Sequence, residues 1–196
     1  MRKINFVKTF VSKGQYKEKE EREGVCIVHL DGVLNEELGA YECVECSMPV
    51  SEYSETAVNE AYAAWKTAMA NRGLARAKRE VLKKIEAYDT SPAVNGFILN
   101  GERVWLDFEL RDRVYQGNER LQRIGRTDTT LWLGKQCYNL SIEQAQNIIS
   151  HIEAYAKDCY NVTAAHKKAV SELTSIEEVE KYDITAGYPA QLKMEV

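Results

Sequence analysis

The apolar positions change their period along the chain and divide it into three zones. Up to about residue 54 they come in short runs, INFVKTFV, VCIVHL and AYECVEC, alternating or rich in β-branched residues. Such runs predict strands. The charged KEKEERE segment reads as a hinge between the first two, Asp31-Gly32 as a turn, and Pro49 within SMPVSEYS as a boundary. From residue 55 to about residue 90 the pattern is helical. Ser54 is placed to cap this helix, and Val58, Ala61, Trp65, Ala68, Ala75, Leu82 and Ile85 recur at spacings of three and four. At 1.5 Å per residue the helix would be about 50 Å long, suited to connecting two modules or to seeking partners in an oligomer.

The third zone, 91–196, carries the sharpest local signals. Phe97-Ile98-Leu99 and Glu102–Leu106 flank Asn100-Gly101, the pair that supplies both positive φ angles of a type I′ hairpin turn. Asp107 can cap a following helix with Leu110, Val114, Leu121 and Ile124 on its apolar side. Thr129–Leu133 and Gln136–Leu140 predict a second hairpin, with Gly134 suited to a II′ turn. Ser141 and Gln144 form a capping box that opens an amphipathic helix through Ile142, Ala145, Ile148, Ile149, Ile152, Tyr155, Ala156 and Cys159. Asn161-Val162-Thr163 reads as a break, a further helix runs through Ala169, Val170 and Leu173, and Ser175 with Glu178 caps a last short one. Gly187 and Pro189 end regular structure. The echo between IEAYDTS and VEKYDIT reads as a recurring helix stop. The expected fold class is α+β: a β-rich module over 1–54, a long connecting helix over 55–90, and a domain of two hairpins with several helices over 91–196.

Charge and composition exclude some partners. A net charge of −4 gives no global attraction to nucleic acid or anionic lipid. No apolar run approaches the roughly 20 residues that cross a bilayer, and MRKINFVKTF has no apolar core of a signal peptide. The chain is therefore expected in the cytoplasm where it is made, or in a particle assembled there. Five cysteines are an odd set for a disulfide framework and predict buried thiols.

Four constellations could carry chemistry. Cys26-x2-His29 and Cys43-x2-Cys46 have zinc-ligand spacing, but VCIVHL reads as a strand, which sends Cys26 and His29 to opposite faces; metal is the weaker reading, and no cofactor is expected. Arg72, Arg76, Arg79 and Lys83, with Lys66, Lys78 and Lys84, form a basic helix that could hold phosphates. Without interleaved aromatics it reads first as a solvated face. Arg111, Arg113, Arg120, Arg123 and Arg126 lie mostly off the predicted stripe of their helix, on a solvated or interface side. In the hairpins, Ile98 and Trp105 point away from Phe97, Leu99, Val104 and Leu106, while Trp132 and Cys137 oppose Leu131, Leu133, Tyr138 and Leu140. The tryptophan face needs a cover, from another helix of the chain or from a partner subunit, where Trp is enriched at hot spots. His151 and His166 have no acid or nucleophile placed by spacing. With no phosphate-binding glycine motif, HExxH or GxSxG either, catalysis is not expected.

The blocks AVNGFILNGERVWLD, TDTTLWLGKQCYNLSIEQA, HIEAYAKDCYNVTAAHKKAVSEL and IEEVEKYDITAGYP resemble the phage and prophage domain of unknown function numbered four-three-seven-six. The resemblance covers about residues 85–192. It implies a protein of the tail region of tailed bacteriophages, with relatives among tail-fibre assembly proteins, and it carries no established catalytic or binding residues. On that resemblance the chain is expected to be a virion structural protein, tail- or fibre-associated, contacting other phage structural proteins and copies of itself and no membrane; the hairpin alternation and the helix pattern, not the resemblance, make Trp105, Trp132, Ile98, Arg111, Arg120 and Arg123 the interface candidates. A fibre-assembly chaperone and a small nucleic-acid-binding phage protein are the alternatives.

Overall fold

The computed structural model describes residues 3–133 and 135–195. The fold is α+β, and contacts divide it into two compact units, Met1–Gly73 and Leu74–Val196. The division falls inside one long helix.

The first unit contains strands β1 (Val7–Ser12), β2 (Lys19–Arg22), β3 (Val25–Asn35) and β4 (Ala40–Pro49), in the antiparallel order β1-β4-β3-β2. The predicted hinge KEKEERE is in large part β2, paired with β3 from Lys19–Val28 to Arg22–Val25. At a sheet edge the ladder needs only backbone groups on one side, so charged side chains are tolerated there. Asp31-Gly32 is not a turn either. Asp31 has φ 51°, and the register shifts between Leu30 and Val33, so the pair forms a bulge and β3 continues to Asn35. The same left-handed backbone serves both purposes. The Asp31 carboxylate accepts from the Tyr62 hydroxyl at 2.8 Å and Lys66 Nζ at 3.3 Å.

Helix α1 (Glu55–Asp89) starts where expected, with Ala57 N donating to Ser54 Oγ at 3.4 Å. Its first turns cover one sheet face, where Val58 meets Cys26, Val28 and Cys46. Tyr62 and Trp65 pack on Phe6, with ring centroids 5.4 and 5.8 Å away. On the opposite sheet face Tyr16 stacks on Tyr41 at 4.0 Å and beside His29 at 5.7 Å. The predicted single stripe along α1 does not hold. Ala68 and Ala75 are exposed, while Val58 with Tyr62 and Val81 with Ile85 are buried in separate clusters. One period cannot describe a helix that serves two cores.

In the second unit, β5 (Phe97–Leu99) and β6 (Glu102–Val104) form the first hairpin, with Asn100 at φ 50° and Gly101 at φ 83° as the type I′ turn demands. Helix α2 (Phe108–Arg123) follows, then β7 (Asp128–Leu133) and β8 (Gln136–Ser141). The proposed turn role of Gly134 lies outside the described residues. The hairpins belong to separate sheets. Helix α3 (Ile142–Glu172) opens on the expected Ser141–Gln144 capping box and buries the predicted face. It does not break at Asn161-Val162-Thr163. Thr163 is buried, donating to Asp89 Oδ1 at 2.6 Å and accepting from the Tyr188 hydroxyl at 2.7 Å, so a residue that normally disturbs a helix is satisfied by distant partners. Helix α4 (Ile176–Glu180) has its capping box, and β9 (Lys193–Met194) then pairs in parallel with β5. That strand lies beyond Gly187 and Pro189, where regular structure was expected to end. The main core joins Phe97, Leu99, Leu131 and Leu133 to Ala145, Ile148, Ile149 and Ile152.

A candidate interaction cleft

Asp107 sets the geometry of the site. Its carboxylate accepts from Leu110 N at 2.8 Å and caps α2, which makes Phe108 the first helical residue and Arg111 the fourth. Arg111 is 6% exposed. Its Nε donates to Glu153 Oε2 on α3 at 2.7 Å, and Nη1 donates to the Leu106 carbonyl at 2.6 Å. The guanidinium lies 5.4 Å from the Trp105 ring centroid and 6.0 Å from that of Phe108. Charge-assisted bonds and aromatic faces together hold it.

Arg111 is therefore an internal clamp, not the solvated contact residue expected from the sequence. The buried face of α2 is built on Arg111 and Asn118, with Val114 half-buried, whereas Leu110 and Ile124 are exposed. An apolar stripe cannot reveal this, because Arg fills a buried position only once a carboxylate and a carbonyl satisfy its donors.

Two clefts open beside the clamp, and both are lined by Phe108 and Arg111. One, of about 270 Å3, includes Asp89, Trp105, Asp107 and Tyr160; the other, of about 400 Å3, includes Asp112, Tyr115, Ile149 and Glu153. Phe108 is 67% exposed and Tyr160 69%. The lining holds four carboxylates against one arginine already paired with Glu153, so the local field is negative. Burial pushes the Cys159 thiol beside the first cleft above its ordinary range, which keeps it protonated at neutral pH. A larger opening of about 800 Å3 in the first unit lies between Ile4 or Val7 and the end of β4. It is a gap where pairing of β1 with β4 begins only at Val7–Glu45, not a set of converging side chains.

Of the six predicted interface residues, the structure brings Trp105 and Arg111 together. Trp105 is half-buried by its own chain, packing against the clusters of Phe97 and of Tyr155. Trp132 is 64% exposed, opposite Cys137 on the outer face of the second hairpin, as the alternation predicts. Ile98 is half-buried in β5, whose backbone bonds to the β9 segment. Arg120 and Arg123 are exposed on α2, where Arg123 reaches Glu119 at 3.9 Å; neither lines the clefts. Phe108, Tyr115, Tyr160, Asp112 and Glu153 were not singled out from the sequence; a phenylalanine directly after an N-cap was the signal available.

The four metal candidates do not converge. Cys26 and Cys46 lie in the core under α1, while His29 contacts Lys17 O at 2.5 Å and Glu45 Oε2 at 3.2 Å on the other sheet face, and Cys43 shares the alternation of Glu45. Arg72, Arg76, Arg79 and Lys83 are all exposed on α1. Among the described residues no helix is long and apolar enough to cross a membrane. No family model matches the chain, and neither the curated proteins nor the solved structures contain a match to it. The resemblance over residues 85–192 therefore stands on its sequence blocks alone.

Proposed function

We propose that this chain is a structural protein of a tailed bacteriophage particle, tail- or fibre-associated, that works by protein–protein contact. The blocks resembling the phage domain all fall in the second unit, and that unit carries the aromatic clefts. The observation that carries the reading is the exposure of Phe108 and Tyr160 in one cleft with the Arg111–Trp105 clamp. Large aromatics left in water on an ordered support mark a contact surface, because they bind with little further loss of freedom.

Mass spectrometry of purified particles tests this directly. Peptides of the chain at a fixed copy number support the proposal. Detection only in infected-cell lysate would transfer the chain to the assembly-chaperone class. Within particles, Trp132→Ala should lower incorporation while leaving the melting temperature of the isolated chain nearly unchanged, because that ring already faces solvent. Trp105→Ala should lower the melting temperature, because it removes an internal contact.

A further inference from the structure

We infer that the aromatic clefts receive the basic stripe of α1 from a second copy of this chain, producing a head-to-tail contact. The inference rests on the protein-contact reading above and adds its partner and its surfaces. The clefts offer what a guanidinium needs: exposed faces of Phe108, Tyr115 and Tyr160, ringed by Asp89, Asp107, Asp112 and Glu153. Arg111 already occupies one such environment within the chain, against the Trp105 and Phe108 rings and bonded to Glu153.

The complementary element lies in the same unit. Arg76, Arg79 and Lys83 are exposed at spacings of three and four on one side of α1, away from the buried positions Val81 and Ile85. Among the described residues Arg76 and Arg79 have no ion pair, and Lys83 meets only Glu80 at 3.2 Å on the surface. Residues three apart on a helix rise about 4.5 Å, so Arg76 and Arg79 of one copy straddle the single ring of Phe108 and enter the two clefts beside it. Lys78 is withdrawn from this role, donating to the Ser171 carbonyl at 2.6 Å. Because cleft and stripe are different surfaces, the contact is heterologous and propagates into a ring or a filament.

Sedimentation of the full chain at low and high salt tests this, with circular dichroism to confirm folding. The unaltered chain should self-associate at low salt and dissociate as salt screens the contact. A cleft variant, Phe108→Ala with Asp112→Arg, and a stripe variant, Arg76→Glu with Arg79→Glu, should each associate at least about tenfold more weakly. Mixed in equal amounts, the two variants should form a one-to-one complex and nothing larger, since only one cleft and one stripe remain intact.

A monomeric unaltered chain at high concentration and low salt would overturn the inference, as would variants that assemble normally. So would a stripe variant that lost salt-dependent retention on DNA while keeping its self-association, which would assign the stripe to nucleic acid. A monomer still present in purified particles would overturn this inference alone. A mixed-variant complex from a chain absent from particles would overturn only the proposed function.

Discussion

Arg111→Met tests the clamp on which the clefts are mounted. Methionine keeps an unbranched stem and much of the volume, so the loss reports bonds and not a cavity. The Leu106 carbonyl belongs to a buried residue and loses its donor, at a cost of about 1–3 kcal/mol. Loss of the cation from the Trp105 and Phe108 rings adds about 1 kcal/mol. The Glu153 side chain is 47% exposed and can rehydrate, so its pairing adds under about 1 kcal/mol. The sum, about 2–5 kcal/mol, corresponds to a fall in melting temperature of about 6–20 °C for a unit of this size. Thermal or urea unfolding followed by circular dichroism measures it, and Glu153→Gln should cost under about 1 kcal/mol. If Arg111→Met were as stable as the parent or more so, the buried arginine would be of the kind that apolar residues replace freely, and the clamp would not be what holds the cleft.

Three further outcomes follow from local geometry. Burial, with Cys26 and Glu45 adding to it, pushes the Cys46 thiol from an ordinary 9.0 up to about 11, and burial raises Tyr62 and Tyr155 from 10.0 to about 12. The folded chain thus holds protons that the unfolded chain releases, so this stability is whole below pH 9 and declines as pH rises toward 11 and 12; urea midpoints that stay flat from pH 9 to 11 would contradict it. Thiol labelling of the native chain at pH 8 should modify exposed Cys137 quickly and the four buried cysteines only on unfolding. Gly32→Ala should destabilise the first unit by about 1–3 kcal/mol, since a Cβ there would meet the Tyr16 hydroxyl and ring; in a Tyr16→Ala background the cost should vanish, and persistence in that background would refute the contact.

What could be read from the sequence was local. Ser141 with Gln144, Ser175 with Glu178, Asp107, and Asn100-Gly101 each act within four residues, and the structure places each as expected. What escaped depends on distant residues. Asp31-Gly32 becomes a bulge because Tyr62 and Lys66 of α1 hold the Asp31 carboxylate. Thr163 continues a helix because Asp89 and Tyr188 satisfy its hydroxyl. Lys193-Met194 forms a strand only because β5, far back in the chain, offers an edge. The site divides in the same way: the hairpin alternation exposes Trp132, but a buried Arg111 depends on Glu153 of another helix.

The cleft's carboxylates also bear on what it can hold. Asp107 is committed to the cap of α2, Asp89 to the Thr163 hydroxyl, and Glu153 to Arg111, so three of the four are fixed in place by bonds they accept. Fixed negative charge beside exposed aromatic rings suits a cation that arrives already charged, and an arginine or lysine side chain of a neighbouring protein is such a cation. A side chain held by several bonds, as Arg111 is, would lower the ordering cost of the proposed contact. Mounted on a capped helix and an interhelical ion pair, the cleft has the fixed charge and exposed rings that the proposed contact requires.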